Sequence, residues 1–334
     1  TTMKAAYFKT TGPASVIEFG DLPELPLEPK GVRVRVKASA LNPIDLYVRA
    51  GTVAMPLNQP QIPGCDLAGD VVEVGPEVTR FKPGDRVWGS NPGIVGRPGT
   101  ACEHASVHED WLYHAPMGVS DVDMAAMALT GITAHLGLFD RARLQPGESV
   151  YVSGGSGGVG SMVIQMAKVA GARVATTAGS PEKMQLCREL GADLVLNYNS
   201  GDLARSLRDF APQGLNLWFE TQREPDFVGS FPLLAQGGRF IVMAGRTAEP
   251  VFPSLGSFYP RNLSIFGFAM FQFSPEAQRA TAQEMIRWAA TGQLRAIVGK
   301  KFQLTETAAA HQFLEDATLG GSRRLAGKVV IELG

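Results

Sequence analysis

The chain has 334 residues, long for one domain and suited to two. Hydrophobic residues make up 45% and charged residues 19%, and the formal charge of −1 excludes a broad electrostatic footprint for nucleic acid or an anionic membrane. Three cysteines, Cys65, Cys102 and Cys187, show no close pairing, which argues against a disulfide framework and for a reducing compartment. No signal peptide opens the chain and no run approaches a membrane span, so the expected location is the cytoplasm.

Residues 3–9 and 16–19 read as short strands. Residues 31–40 alternate valine with arginine or lysine, the pattern of a strand with one wet face. Pro43 then fits the first turn of a short helix that Gly51 closes. Strands follow near 67–75 and 86–88, each after a Pro-Gly turn. The first 120 residues are therefore mostly β. Residues 122–140 read as a helix with a break at Gly131. From 149 onward strands alternate with helices: strands at 149–153, 172–177, 194–196, 215–220 and 238–243, helices at 158–170, 181–190, 202–210 and 226–235. That rhythm predicts a doubly wound parallel sheet. A sixth strand at 262–268, a helix at 275–291, and a final strand–helix–strand segment complete the chain. This last segment leaves the rhythm and is expected to return to the β-rich part. The predicted domains are 1–124 with 270–334, and 125–269.

The stretch from Ser149 to Met166 concentrates the functional signal. A β-rich apolar run ends in Gly154-Gly155-Ser156-Gly157-Gly158-Val159-Gly160, and Val159, Val163, Ile164 and Ala167 then recur at helical spacing. Gly155, Gly157 and Gly160 fit G-x-G-x-x-G between a strand and a helix, the context of a dinucleotide pyrophosphate site. An NAD site places a carboxylate at the tip of the second strand. Here that strand ends in Ala178-Gly179-Ser180-Pro181-Glu182-Lys183, with Glu182 expected inside the next helix. A hydroxyl at Ser180 and a cation at Lys183 suit a 2′-phosphate, and the predicted cofactor is NADP(H).

Landmarks along nearly the whole chain resemble one family. They are Asn42-Pro43-Ile44-Asp45 with Tyr47, Pro63-Gly64-Cys65-Asp66-Leu67-Ala68-Gly69, Lys82-Pro83-Gly84-Asp85-Arg86-Val87, the fingerprint, Gly191-Ala192-Asp193 through Asn197-Tyr198, Gly237-Gly238-Arg239, and Gly327-Lys328-Val329-Val330. Together, in this order, they resemble the zinc-free medium-chain dehydrogenase/reductase superfamily, in its quinone oxidoreductase branch similar to zeta-crystallin. The resemblance implies an α/β protein, with a GroES-like β-rich catalytic domain and a Rossmann domain. It implies that Asn42 and Tyr47 line the nicotinamide and substrate end, with Tyr47 as proton donor or carbonyl partner. It also implies that Thr130 approaches the nicotinamide, and that Ser180, Lys183, Tyr198 and Arg323 surround the 2′-phosphate. Ala244-Gly245-Arg246 and Phe268-Ala269-Met270 are implied to run past the nicotinamide. Arg246, and Gln222-Arg223 in place of a common Val-Gly, depart from the family. A homodimer through the last Rossmann strand, near 263–268, is implied as well.

The zinc-dependent branch carries a cysteine near position 42, Gly-His-Glu near 64–66 and a four-cysteine lobe. This chain has Asn42, Gly64-Cys65-Asp66 and no lobe, and one thiol with one carboxylate does not complete a tetrahedral site. His104 and His108 read as satisfied loop residues, so no metal is expected. Without a metal nothing polarises an alcohol, and the chemistry left is hydride delivery from NADPH to an electrophilic acceptor. A quinone is the first expectation. An alkenal, enone or enoyl-thioester reductase is the alternative, although Val53 stands where enoyl reductases of the family often carry tyrosine. A non-catalytic NADPH-binding protein is the alternative from another class. Trp88, residues 90–99, Phe268, Phe271 and Phe273 are candidates for an apolar wall, with 90–99 as a lid.

Overall fold

A computed structural model describes residues 1–322 and 324–334. The chain divides into two compact units, Thr1–Leu129 with Ser274–Gly334, and Thr130–Phe273. The sequence reading set the breaks at 124/125 and 269/270. A helix runs through the first break, so no change in composition marks it.

Strands β1 (Thr2–Tyr7) and β2 (Glu18–Pro23) pair antiparallel. The second strand was expected over 16–19. Pro13, with φ of −65°, instead leads a 3-10 turn at Ala14–Val16, and the strand starts at Glu18. β3 (Gly31–Ala40) buries Val32, Val34 and Val36 in the core. Its outer face is only partly wet: Arg35 is exposed, while Arg33 is buried, with its Nε 2.8 Å from Glu73 Oε2. Helix α1 (Pro43–Ala50) starts on the preset φ of Pro43 and stops at Gly51, whose φ of 77° ends it.

Strands β4 (Leu67–Val74), β5 (Arg86–Gly89), β6 (His104–His108) and β7 (Leu112–His114) follow. Helix α2 (Asp121–His135) passes straight through Gly131, contrary to the expected break. The irregularity comes later, as a π-helical turn at Leu136–Arg141. There a side chain on Gly137 would sit 2.5 Å from the Phe219 ring, so glycine admits the ring against the backbone. Asp121–Arg141 also corrects the membrane reading. It is 21 residues long with mean hydropathy 1.4, enough by length and composition to span a bilayer, but 83% of its most apolar stretch is buried inside the protein.

The second unit contains β8 (Ser149–Val152), α3 (Gly158–Val169), β9 (Arg173–Ala178), α4 (Pro181–Glu189), β10 (Leu194–Asn197), α5 (Leu203–Phe210), β11 (Leu215–Glu220), α6 (Phe227–Ser230), β12 (Leu234–Val242) and β13 (Ser264–Gly267). All neighbours in this sheet pair parallel, in the order β10-β9-β8-β11-β12-β13. The order reverses between β8 and β11, which is the doubly wound pattern with its switch point beside β8. The helix expected over 226–235 closes at Ser230. Pro232 sits in a 3-10 turn, and Leu234 already pairs with Leu215. Tyr151, Trp218, Phe227, Phe231 and Phe240 fill the core on one side of this sheet.

The chain then returns to the first unit with α7 (Pro275–Ala290), β14 (Val298–Gln303), α8 (Thr307–Thr318) and β15 (Lys328–Glu332). The large sheet there runs β14-β15-β3-β4-β5-β7, with β6 also on β3. β15 pairs antiparallel with β3, with Val330 opposite Ala40. Arg49, fully buried on α1, ties that helix to α8 through Glu315 at 2.9 Å and His311 at 3.4 Å. Burial, with the Arg49 charge, holds His311 down to about 3, so its ring is neutral and Nδ1 accepts from the guanidinium.

Candidate active site

The glycine turn begins at Gly154, with φ of 62°. Gly157 N–H donates to Gly154 O at 3.0 Å, and α3 opens at Gly158. The three fingerprint glycines do different work. A Cβ on Gly160 would lie 2.2 Å from Gly154 O, and one on Gly155 would lie 2.3 Å from Thr176 Oγ1, so the protein's own packing demands both. Gly157 has an ordinary φ of −76°, and its Cβ would meet only Gly154 O, at 3.3 Å. No comparably close contact within the fold demands glycine there. The space beside Gly157, ahead of the first N–H groups of α3, is clear of other close protein contacts.

Glu220 anchors the other side of the turn and was not singled out in the sequence. It is buried at the end of β11. Its carboxylate accepts from Ser153 Oγ, from Trp218 Nε1 at 3.1 Å and from Gln222 N–H at 2.8 Å. The ends of β8 and β11 are thereby fixed where the sheet order reverses.

At the end of β9, Ser180 caps α4, its Oγ accepting from Lys183 N–H at 3.2 Å. The hydroxyl keeps its own proton to donate. Tyr198 packs over Gly179, where a side chain would lie 2.2 Å from the Tyr198 hydroxyl. Tyr198 and Ser180 thus stand beside Gly179, while Lys183 and Glu182 lie in the first turn of α4, so no carboxylate stands at the strand tip itself. Arg323, the fourth residue implied for this place, lies outside the described residues.

The first unit holds a buried polar cluster at the start of α1. The β3–β15 register, continued by two residues, sets Lys328 opposite Asn42. Lys328 Nζ donates to Leu41 O at 2.5 Å and to Asn42 Oδ1. Asn42 Nδ2 donates to Asp66 Oδ2 at 2.9 Å. Asp66 Oδ1 accepts from Ser90 Oγ at 2.7 Å and from Leu129 N–H at 3.2 Å. Asn42 N–H donates to Asp45 Oδ2 at 2.8 Å. Burial pushes Asp45 up to about 7 and Asp66 up to about 6, the latter opposed by Lys328 and by its hydrogen bonds. Burial, with both carboxyls beside it, raises Cys65 well above the thiol range, so it stays protonated. Burial lowers Lys328 against the pull of Asp66 and Asp45. One carboxylate and one ammonium cancel here, while Asp45 holds a proton near neutrality.

Asn42 is only 1% exposed, so its amide is committed to this cluster rather than standing on an open surface. Tyr47, further along α1, is half-buried, and among the described residues its hydroxyl has no hydrogen-bond partner.

Two family models match the chain: "Alcohol dehydrogenase GroES-like domain" over residues 28–117 and "Zinc-binding dehydrogenase" over 158–291. A quinone oxidoreductase of Pseudomonas aeruginosa is 31% identical over 98% of this chain and 99% of its own length. The chain belongs to the quinone oxidoreductase branch of the zinc-free medium-chain dehydrogenase/reductase superfamily. Among solved structures it is similar to an NAD-dependent alcohol dehydrogenase, with TM-score 0.89, 32% identity and coverage of 99% and 100%. A mycobacterial protein complexed with NADPH is 26% identical, with TM-score 0.85 and coverage of 99% of each chain. The chain is accordingly an oxidoreductase of a nicotinamide-dependent family.

Family membership sharpens what is particular to this member. Thr130 is buried on α2, Ala244 and Gly245 follow β12, and Phe268 N–H donates to Val242 O at 3.2 Å. Arg246 is exposed, and nothing in the structure explains it. Gln222 does have an explanation, because its side chain covers Gly154. Arg223 packs its carbonyl where a Gly245 side chain would stand, a contact any residue at 223 supplies.

Two sequence expectations change. Trp88 is a core residue packed on Tyr113, not a wall. Residues 90–99 are tied down, with Ser90 bonded to Asp66, Asn91 to Gln278, and Gln61 to Arg97 O, so they do not form a free lid. His104 bonds Glu24 at 2.8 Å, and His108 Nδ1 accepts from Asp110 N–H at 3.2 Å, so each is locally engaged. Among the described residues no three His, Cys, Asp or Glu side chains converge as a metal site.

Proposed function

We propose that this oxidoreductase uses NADPH to reduce a quinone, or a comparable electrophilic carbonyl acceptor, without a metal ion. The observation that carries the reading is the end of β9, where Tyr198 packs over Gly179, Ser180 caps α4 with Lys183 in its first turn, and no carboxylate stands at the strand tip to claim a ribose hydroxyl. The mycobacterial relative complexed with NADPH agrees with it. The turn at Gly155-Ser156-Gly157-Gly158-Val159-Gly160 takes the pyrophosphate on the α3 N-terminus, with Thr130, Ala244, Gly245, Arg246, Phe268 and Ala269 as the remaining cofactor contacts.

When bound, NADPH supplies the hydride. Tyr47 hydrogen-bonds the acceptor oxygen and passes a proton to it as negative charge develops there. Asn42 orders the start of α1, on which Tyr47 stands. A metal-free reading is supported by Lys328, whose ammonium sits beside Asn42 and Asp66 and repels a divalent cation, and by the protonated Cys65 thiol. The buried free thiols suit the reducing cytoplasm, and the edge position of β13 suits a homodimer.

The test is oxidation of NADPH and NADH against 1,4-benzoquinone, 9,10-phenanthrenequinone, an alkenal and crotonyl-CoA. Quinone turnover with NADPH strongly preferred is expected. Turnover confined to the alkenal or thioester reassigns the enzyme as an alkene reductase. A preference for NADH overturns the cofactor reading, and silence with NADPH still bound leaves a non-catalytic binding protein.

A further inference from the structure

Among the described residues Lys328 is the one buried lysine, and the family landmark containing it has no use in the mechanism above. Its partners define its task. The Asn42 amide lies between a group that can only donate, the Lys328 ammonium, and a group that only accepts when ionised, the Asp66 carboxylate. An amide so placed has one orientation: Oδ1 on the lysine, Nδ2 on the aspartate. A second Lys328 bond, to Leu41 O at 2.5 Å, fixes the residue before the amide. Lys328 therefore holds two consecutive residues at the point where β3 passes into α1. The clamp comes from β15, whose pairing with β3 is itself fixed at Val330–Ala40, Ile331–Ser39 and Glu332–Ala38.

We propose that Lys328 is a positioning residue, whose buried amino group sets the orientation of the Asn42 amide and the start of α1, and through them the placement of Tyr47. The ionised Asp66 carboxylate, with Leu41 O and Asn42 Oδ1 as direct acceptors, supplies the negative field that keeps an ammonium there. The proposal rests on the reductase reading for its kinetic consequence and on geometry alone for the clamp.

Two measurements test it, one for each part. In the kinetic arm, Lys328→Met, Asn42→Ala and the double variant are assayed with NADPH and a quinone. Lys328→Met should lower kcat on the order of 100-fold, the scale set by small misplacement of reacting groups, while the KM for NADPH moves little. The double variant should lose no more than the worse single variant, within about threefold, because both changes break one link. A folded Lys328→Met enzyme with wild-type kcat, or losses that multiply, overturns the proposal.

The second arm needs neither turnover nor a stable Lys328 variant. In wild-type protein labelled with ¹⁵N-lysine, one slowly exchanging Nζ–H signal should survive at neutral pH, and Asn42→Ala should abolish it. No such signal in wild type, or one unchanged in Asn42→Ala, refutes the clamp. A wild-type enzyme inactive with every acceptor sinks the reductase reading alone and leaves this second arm to decide on Lys328.

Discussion

At Asp45 one carboxylate oxygen accepts Asn42 N–H, and the other has no hydrogen-bond partner among the described residues. Its pKa is raised from 3.8 to about 7, chiefly by burial. The folded chain therefore binds this proton more tightly than the unfolded chain does. The stability it contributes is fully present below pH 3.8 and is lost as pH rises through about 7. Asp45→Asn removes the buried charge and keeps an acceptor for Asn42 N–H. Its Tm relative to wild type should climb between pH 5 and pH 8, and a difference that stays flat in thermal melts would count against a titrating Asp45. Tyr47 carries the other prediction at this scale. Tyr47→Phe keeps the ring and removes the donor, so kcat for the quinone should drop about 100-fold with NADPH binding intact. An undiminished kcat would reassign proton delivery to water. The place of Tyr47 on α1 was legible because it stands in a local motif. Lys328 was not, because the residue it holds is 286 positions away and only the β3–β15 pairing brings them together.

Elements were legible to the extent that their signals were local. The strand–turn–helix around Gly155 could be read because each glycine acts within a few residues of its neighbours. That the three glycines are unequal could not be read, because Gly155 is demanded by Thr176 on another strand. The inequality predicts a contrast. Gly160→Ala should cost about 2 kcal/mol of stability by forcing a side chain into Gly154 O. Gly157→Ala should leave Tm nearly unchanged and weaken NADPH binding, read by quenching of protein fluorescence. Equal losses of stability in the two variants would show that Gly157 also serves packing. The misread helix at 226–235 and the misplaced break at Gly131 share one cause. Composition supported helix in both places, and tertiary partners decided: Leu215 drew Leu234 into a strand, and the Phe219 ring displaced the irregularity to Gly137.

On the scale of the whole molecule, the fold class was readable from the alternation of strands and helices, whereas the return of the last segment to the first sheet rested on elimination. The second unit ends its sheet with β13 as an edge strand, and Val251, Phe252, Leu255 and Tyr259 stand exposed in the segment that precedes it. An apolar edge of this kind seeks a partner strand. Light scattering should give twice 35.7 kDa, and a mass of 35.7 kDa at micromolar concentration would remove the homodimer. The position of β15 has a consequence for synthesis. A ribosome completes every strand of the second unit before it makes the segment that carries Lys328. The glycine turn can therefore form on a nascent chain while the start of α1 still lacks its clamp. Under the proposed clamp, a translation product that stops short of β15 keeps the parallel-sheet unit and lacks the residue that holds Asn42 in place.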